Sequence, residues 1–324
     1  MSGTTDGLRR KIDGAGDLEG VVRSMKALAA SSIGQFERAV QSLDHYYRTV
    51  ELGLSACLRQ DGPAPAPAGR GARDGGPVGA VIFGSDQGLV GRFNEVLVDF
   101  AMAKLKARPG KIMRIWAVGE HIQALMADSG FTQAALLPVP TSIYGITSLV
   151  GRILIEVEAA REKGQVVEVH LYHNHPGSGA TYEPVGKLLL PLDRAWQAKL
   201  AAHPWPTKNP PQIIEGATPA LQAFIQGYLF VLLFQACAES LASENASRLA
   251  AMQRAEKNIG DLLEDLNRTF HRIRQEAIDE ELFDVVSGYE ALSLGRAKRA
   301  IGHPSPVDGH DKLETVGEDV HPGP

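Results

Sequence analysis

Two long proline-free ends constrain this chain more than any other feature. No proline occurs between Met1 and Asp61, and none follows Pro219 until Pro304. In the first stretch, apolar or small residues fall at Leu18, Val22, Met25, Ala29, Ile33, Phe36, Val40, Leu43, Tyr47, Val50, Leu54 and Cys57, in steps of three and four. That spacing predicts a helix over 5–57 with one apolar seam, the pattern of a coiled coil with a local irregularity at the Ala29–Ile33 step. Gly14, Gly16 and Gly20 weaken its first turns. The second stretch predicts a longer helix over 217–297, with a seam at Leu249, Met252, Ala255, Ile259, Leu262, Leu266, Phe270, Ile273 and Ala277. At 1.5 Å per residue the two helices would measure roughly 75 Å and roughly 120 Å. Neither seam can stay in water. The simplest burial pairs the two ends with each other, antiparallel. Such a pair is a shaft, suited to transmitting force or spanning partners.

The middle of the chain reads differently. Residues 58–77 are rich in proline and glycine and predict a flexible linker. Residues 78–215 alternate strand and helix signals: strands at 78–83, 112–118, 134–137 and 166–172, and helices at 93–107, 120–128 and 143–162. Residues 174–193 read as a loop with an edge strand at 187–190, and 203–211 as an irregular connection. This alternation argues a small, doubly wound, Rossmann-like α/β domain. The predicted organisation is therefore 1–57 N-terminal coiled-coil helix, 58–77 linker, 78–215 α/β domain, 216–297 C-terminal coiled-coil helix and 298–324 disordered tail. The fold class is α/β with long terminal helices.

Composition excludes some functions. With 33 basic and 38 acidic side chains the net charge is −5, so no global cationic field is available to hold nucleic acid. Two cysteines, Cys57 and Cys237, cannot build a disulfide framework or a cysteine-rich zinc site, and point to a reducing compartment. Met1–Arg10 lacks the apolar core of a signal peptide. The longest uninterrupted apolar run is Tyr228–Phe234, far short of the roughly 20 residues that cross a bilayer. A soluble protein is expected, or a soluble part of a membrane machine.

Two motifs carry possible chemistry. Gly84 to Asn94 follows a strand and precedes a helix, where a dinucleotide-binding loop would sit. The glycine spacing is wrong, and a carboxylate at Asp86 would repel pyrophosphate. The segment reads as a structural turn built on Asp86, Gly88, Gly91 and Asn94. His173-Asn174-His175-Pro176, with His170 nearby, offers two histidines that could bind zinc, and resembles the H-x-H-P core of the JAMM metalloproteases. That family's downstream Ser-x-x-Asp is missing: Ser178 is followed at that offset by Thr181, and no aspartate comes before Asp193. The basic clusters Arg9-Arg10-Lys11 and Arg268, Arg272, Arg274 read as solvated faces or as contacts for acidic partner loops.

Four segments in register resemble the gamma subunit of rotary F-type ATP synthases. They are Leu8–Ile12 with Val22–Ser31, the Gly84–Asn94 turn, Ser243–Met252, and Arg274–Gly288. The resemblance covers about residues 8–295. Departures are Ser32 for a usual lysine, Val90 for the turn cysteine, Arg92 at a glycine position, Asp279 for threonine and Tyr289 for alanine. They point to a divergent bacterial branch, such as the alternate, sodium-coupled N-type enzymes. The resemblance implies a central-stalk rotor without catalytic residues, metal or cofactor of its own. It further implies alpha, beta and epsilon subunits and the c-ring as partners, and a peripheral place on the cytoplasmic face of the bacterial inner membrane without direct insertion. By the same resemblance Met25, Lys26, Arg248, Gln275 and Asp279 would contact beta-subunit loops, and Leu282, Phe283, Val285, Val286, Leu292 and Leu294 would form a smooth tip. Without the family, a generic coiled-coil scaffold or a JAMM-like zinc hydrolase are the competing readings.

Overall fold

The structure, a computed structural model, describes residues 2–61, 76–108, 112–127, 133–179, 181–192, 194–202, 205–209, 211–213 and 216–301. Helix α1 spans Ser2–Asp61, so the first residues expected in the linker extend the helix instead. Most of the expected linker, 62–75, lies outside the described residues. At the other end α6 spans Ala217–Ile301, past the expected residue 297, and the rest of the expected tail is outside the described residues.

Between them run β1 (Val78–Phe83), α2 (Phe93–Lys106), β2 (Ile112–Val118), α3 (Glu120–Ala127), β3 (Gln133–Leu137), α4 (Ile143–Glu162), β4 (Glu168–Pro176), β5 (Tyr182–Leu190) and α5 (Arg194–Ala201). The five strands form one sheet in the order β3-β2-β1-β4-β5. The first four are mutually parallel and β5 is an antiparallel edge. Two expectations need correction here. Residues 173–176 continue β4 rather than opening a loop, because they pair in register with Val185 back to Tyr182 of a longer β5. Helix α5 was not expected at all.

Alternation along the strands assigns the two faces of the sheet. Val78, Ala80 and Ile82 of β1, with Ile115 and Ala117 of β2, pack on Leu97, Ala101, Ile122 and Met126 of α2 and α3. Val81, Phe83, Trp116, Val118 and Leu171 face the other way. They share a core with Ile146, Val150 and Ile153 of α4, with Leu54 and Cys57 of α1, and with Leu233 and Cys237 of α6.

Contacts group the chain into two compact units: residues 15–262, and residues 2–14 with 263–301 among those described. In the first unit α1 and α6 pair antiparallel. From Lys26 with Glu256, through Tyr47 with Tyr228, to Gly53 with Phe224, the α1 number rises as its α6 partner's falls. Gly53 permits a close approach, since a Cβ there would lie 2.3 Å from the Phe224 ring. Leu18 is 59% exposed and takes no part in the seam, where Ala15 is buried instead.

The α6 seam also departs from expectation at one residue. Leu262 is 50% exposed and Leu263 turns inward, half-buried. In the second unit the half-buried apolar side chains are Leu263, Leu266, Phe270, Ile273 and Ala277, with Leu8 and Ile12 from α1. With Ile259 before it, the α6 seam runs in alternating steps of four and three, a regular heptad spacing.

Helix α6 holds an 18-residue window of mean hydropathy 1.6, apolar enough by length and composition to cross a bilayer. Counting only uninterrupted apolar runs misses it. Tyr228, Leu229, Val231, Leu233, Phe234 and Ala236 to Ala238 are buried in the protein's own core, which accounts for the apolarity of this segment.

Candidate functional site

Three serines on one face of α6 seat it on the sheet. Ser240 Oγ donates to the Phe83 carbonyl at 3.0 Å, Ser247 Oγ to the Val90 carbonyl at 2.6 Å, and Ser243 Oγ shares its proton between the Asn174 carbonyl at 3.0 Å and the Glu239 carbonyl one turn back at 2.8 Å. Their spacing of three and four puts them on one helical stripe. They donate to carbonyls near the ends of β1 and β4 and in the turn after β1.

That turn is held from within. Asn94 Oδ1 accepts the Ser85 N–H at 3.0 Å, and Asn94 Nδ2 donates to Ser85 Oγ at 2.8 Å. Asn174 Nδ2 donates to the Phe93 carbonyl at 3.0 Å, tying β4 to the start of α2. Asp86 Oδ1 accepts the Glu120 N–H at 2.9 Å, at the N-terminus of α3, and Asp86 Oδ2 accepts the Val139 N–H at 2.8 Å. A helix N-terminus beyond a strand is where a phosphate would bind, and here a carboxylate of the chain itself fills that place. Gly91 sits in the left-handed region at φ 59°. Gly88 has no such constraint, and a Cβ there would meet only His121 Nε2, at 3.8 Å.

Beside the turn, Arg248 Nη2 donates to Glu244 Oε1 at 2.6 Å, one turn apart on α6 and both buried. Burial pushes the Glu244 carboxyl up from its ordinary value, against the pull of Arg248. Arg248 Nε and Glu244 Oε2 have no hydrogen-bond partner among the described residues. The pair lines a cavity of about 360 Å³ together with Met25, Phe36, Asp86, Gln87 and Pro140. Met25, Asp86 and Arg248, singled out from three separate stretches of sequence, therefore meet here. Lys26 pairs with Glu256 across the two helices. Gln275 and Asp279 belong to the other unit, exposed and 3.5 Å from each other.

The histidines divide by face. His170 turns to Glu168, at 3.2 Å, and stacks on Tyr172. His173 and His175 turn toward α6, where Glu239 Oε2 lies 2.7 Å from His173 Nε2 and 2.9 Å from His175 Nδ1. Burial, outweighing the hydrogen bond to the Glu239 carboxylate, lowers the His173 pKa. Burial alone would raise Glu239, but hydrogen bonds from His173 and His175 hold its carboxyl down, at about 2. Among the described residues this is the group of ligand-type side chains close enough to hold a metal ion. The sequence offers no carboxylate at the expected offset from the histidines, and the fold supplies one from α6. An acidic residue between Cys237 and Leu241, inside an apolar stretch, was the available signal, because a buried carboxylate must find partners.

The family model for ATP synthase matches residues 4–292. The chain belongs to the ATP synthase family. The ATP synthase gamma chain of Methylococcus capsulatus is 26% identical over 288 residues, covering 88% of this chain and 98% of the relative. That of Polynucleobacter asymbioticus is 25% identical over 294 residues, covering 89% and 99%. Among solved structures, a chain of the Euglena gracilis mitochondrial ATP synthase, OSCP/F1/c-ring in rotational state 3, is similar at a TM-score of 0.62 and 17% identity, over 91% of this chain and 97% of that one. A chain from the rotor of the same enzyme, in rotational state 1, gives a TM-score of 0.58 at 16% identity, over 86% and 100%. These likenesses place the antiparallel helices and five-stranded sheet in the fold of ATP synthase stalks.

Proposed function

We propose that this chain is the gamma subunit of an F-type ATP synthase, the rotor that couples ion flow in the membrane sector to ATP synthesis or hydrolysis in the head. The observation that carries this reading is the antiparallel pairing of α1 and α6 in a chain that matches the family over residues 4–292. The subunit is non-catalytic. The helices enter the ring of alternating alpha and beta subunits, and the α/β domain docks on the c-ring together with the epsilon subunit. As the ring turns, an asymmetric pair of helices presents different faces to the catalytic sites. Each site is then biased among open and closed states through differential contacts. The complex sits on the cytoplasmic face of the bacterial inner membrane.

Met25, Lys26, Arg248, Gln275 and Asp279 are the residues assigned to beta-subunit loops. Lys26 would exchange its Glu256 partner to make such a contact. The exposed side chains Leu282, Phe283, Val285, Val286 and Leu292 give a smooth apolar end that turns with little grip.

Co-expression with the alpha and beta subunits of an F-type ATP synthase from the same organism tests the reading. A stoichiometric complex with ATPase activity that depends on this chain is expected. Alpha and beta subunits that assemble and hydrolyse ATP at full rate without it would overturn the proposal and favour a scaffold role.

A further inference from the structure

We infer that His173, His175 and Glu239 form a binding site for a divalent transition-metal ion of the zinc type, which clasps α6 to β4. Strand alternation places residues 173 and 175 on the α6 face of β4, where Val169 and Leu171 already pack. Glu239 on α6 meets both rings through one oxygen, and one ligand atom from each of the three residues lies within 4.8 Å of the others. The second carboxylate oxygen accepts from Gln235 Nε2 at 2.7 Å, which fixes its orientation in the way that outer hydrogen bonds orient metal ligands.

Two imidazole nitrogens and one carboxylate oxygen suit zinc, cobalt or nickel rather than magnesium or calcium. Ligand atoms on a tetrahedral ion with bonds of about 2.0 Å stand about 3.3 Å apart. The nitrogen–oxygen contacts, 2.7 and 2.9 Å, therefore need to open by about half an ångström, less than a rotamer change, to admit the ion. His173 and Glu239 are buried, while the His175 side chain is 52% exposed and gives the ion access from solvent. Water takes the remaining coordination position. The role is structural: the ion would join a strand of the sheet to the helix that the serine stripe seats.

The test uses the untagged full-length chain, freed of metal by a chelator, and titrated with cobalt as a spectroscopic probe and zinc as the stabilising ion. One equivalent of cobalt should give the absorption of a four-coordinate site. Zinc should raise the unfolding midpoint, and chelator should reverse the shift. His175→Ala, at a half-exposed position that should not disturb folding, and Glu239→Gln should each weaken cobalt binding by at least about tenfold. Absence of stoichiometric cobalt uptake would overturn the site. So would unchanged affinity in both variants, which would place the ion elsewhere, for instance on His303, His310 and His321. Neither outcome bears on the rotor reading, which rests on the helices and not on this cluster.

Discussion

Ser247 of α6 donates its hydroxyl to the carbonyl of Val90, 2.6 Å away and 157 residues earlier in the chain. The bond joins the family-like segment Ser243–Met252 to the family-like turn Gly84–Asn94, two stretches that the sequence offers as separate matches. With Ser243 and Ser240 it makes the stripe on which α6 rests.

Replacing Ser247 with alanine should destabilise the chain by about 1 kcal/mol, because the buried Val90 carbonyl loses its donor and gains no water. Valine should cost more, since it adds an apolar branch to a site shaped for a hydroxyl. Urea unfolding of the purified variants measures both. A Ser247→Ala protein with the wild-type midpoint would show that the bond contributes nothing to stability.

Gly91 and Gly88 look alike in the sequence, but the backbone separates them. Gly91→Ala should cost about 1–2 kcal/mol, the strain of a left-handed residue carrying a Cβ. The nearest atom to that Cβ would be Ser247 Oγ at 3.9 Å, so backbone strain alone is responsible. Gly88→Ala should stay within about 0.5 kcal/mol of wild type. Paired denaturation curves decide it, and equal losses at the two positions would refute the distinction.

The difference between these glycines shows where the sequence stopped being legible. Periodicity found both long helices to within about four residues at each end and three of the four parallel strands to within about two, because burying one face imposes a regular spacing on side chains. It placed Leu262 in the seam because an apolar residue there looks the same as at Leu263, and only the partner surface distinguishes them. It ended β4 at Tyr172, since His173-Asn174-His175-Pro176 reads as a turn, whereas pairing with β5 on one side carries those residues on as strand. The turn's wrong glycine spacing and the carboxylate at Asp86 were readable locally. The Glu239 contact was not, because it depends on how α6 crosses the sheet.

The Lys26–Glu256 pair ties α1 to α6 and should leave a pH signature. The hydrogen bond from Lys26 Nζ holds the Glu256 carboxyl below its ordinary 4.5. A depressed folded-state value means that the contribution is present above the unfolded value and is lost as pH falls through the folded one. Glu256→Gln should therefore lower stability modestly near neutral pH and converge with wild type as pH falls, which flattens the acid limb of the stability curve. The difference should shrink in high salt, because both side chains remain partly exposed. Thermal melts from pH 3 to 7 at two ionic strengths test it. A variant that loses stability equally at every pH would point to packing rather than charge.

Asp86 should decide whether the turn after β1 can take a nucleotide. Its two carboxylate oxygens already accept the Glu120 and Val139 amides, so at the α3 N-terminus the chain's own carboxylate occupies the place a phosphate would take. Calorimetric titration of the isolated chain with ATP should give no heat of binding up to about 1 mM, the limit at which affinity falls to about 4 kcal/mol. Asp86→Ala should cost about 1.5–3 kcal/mol by removing two charge-assisted hydrogen bonds, one of them at the start of a helix. Asp86→Asn, which keeps one accepting oxygen, should lie between alanine and wild type. The order matters more than the size. If asparagine were no better than alanine, the carboxylate's role would be charge alone, and if the wild-type chain bound ATP in this range, the turn would be an open site rather than a filled one.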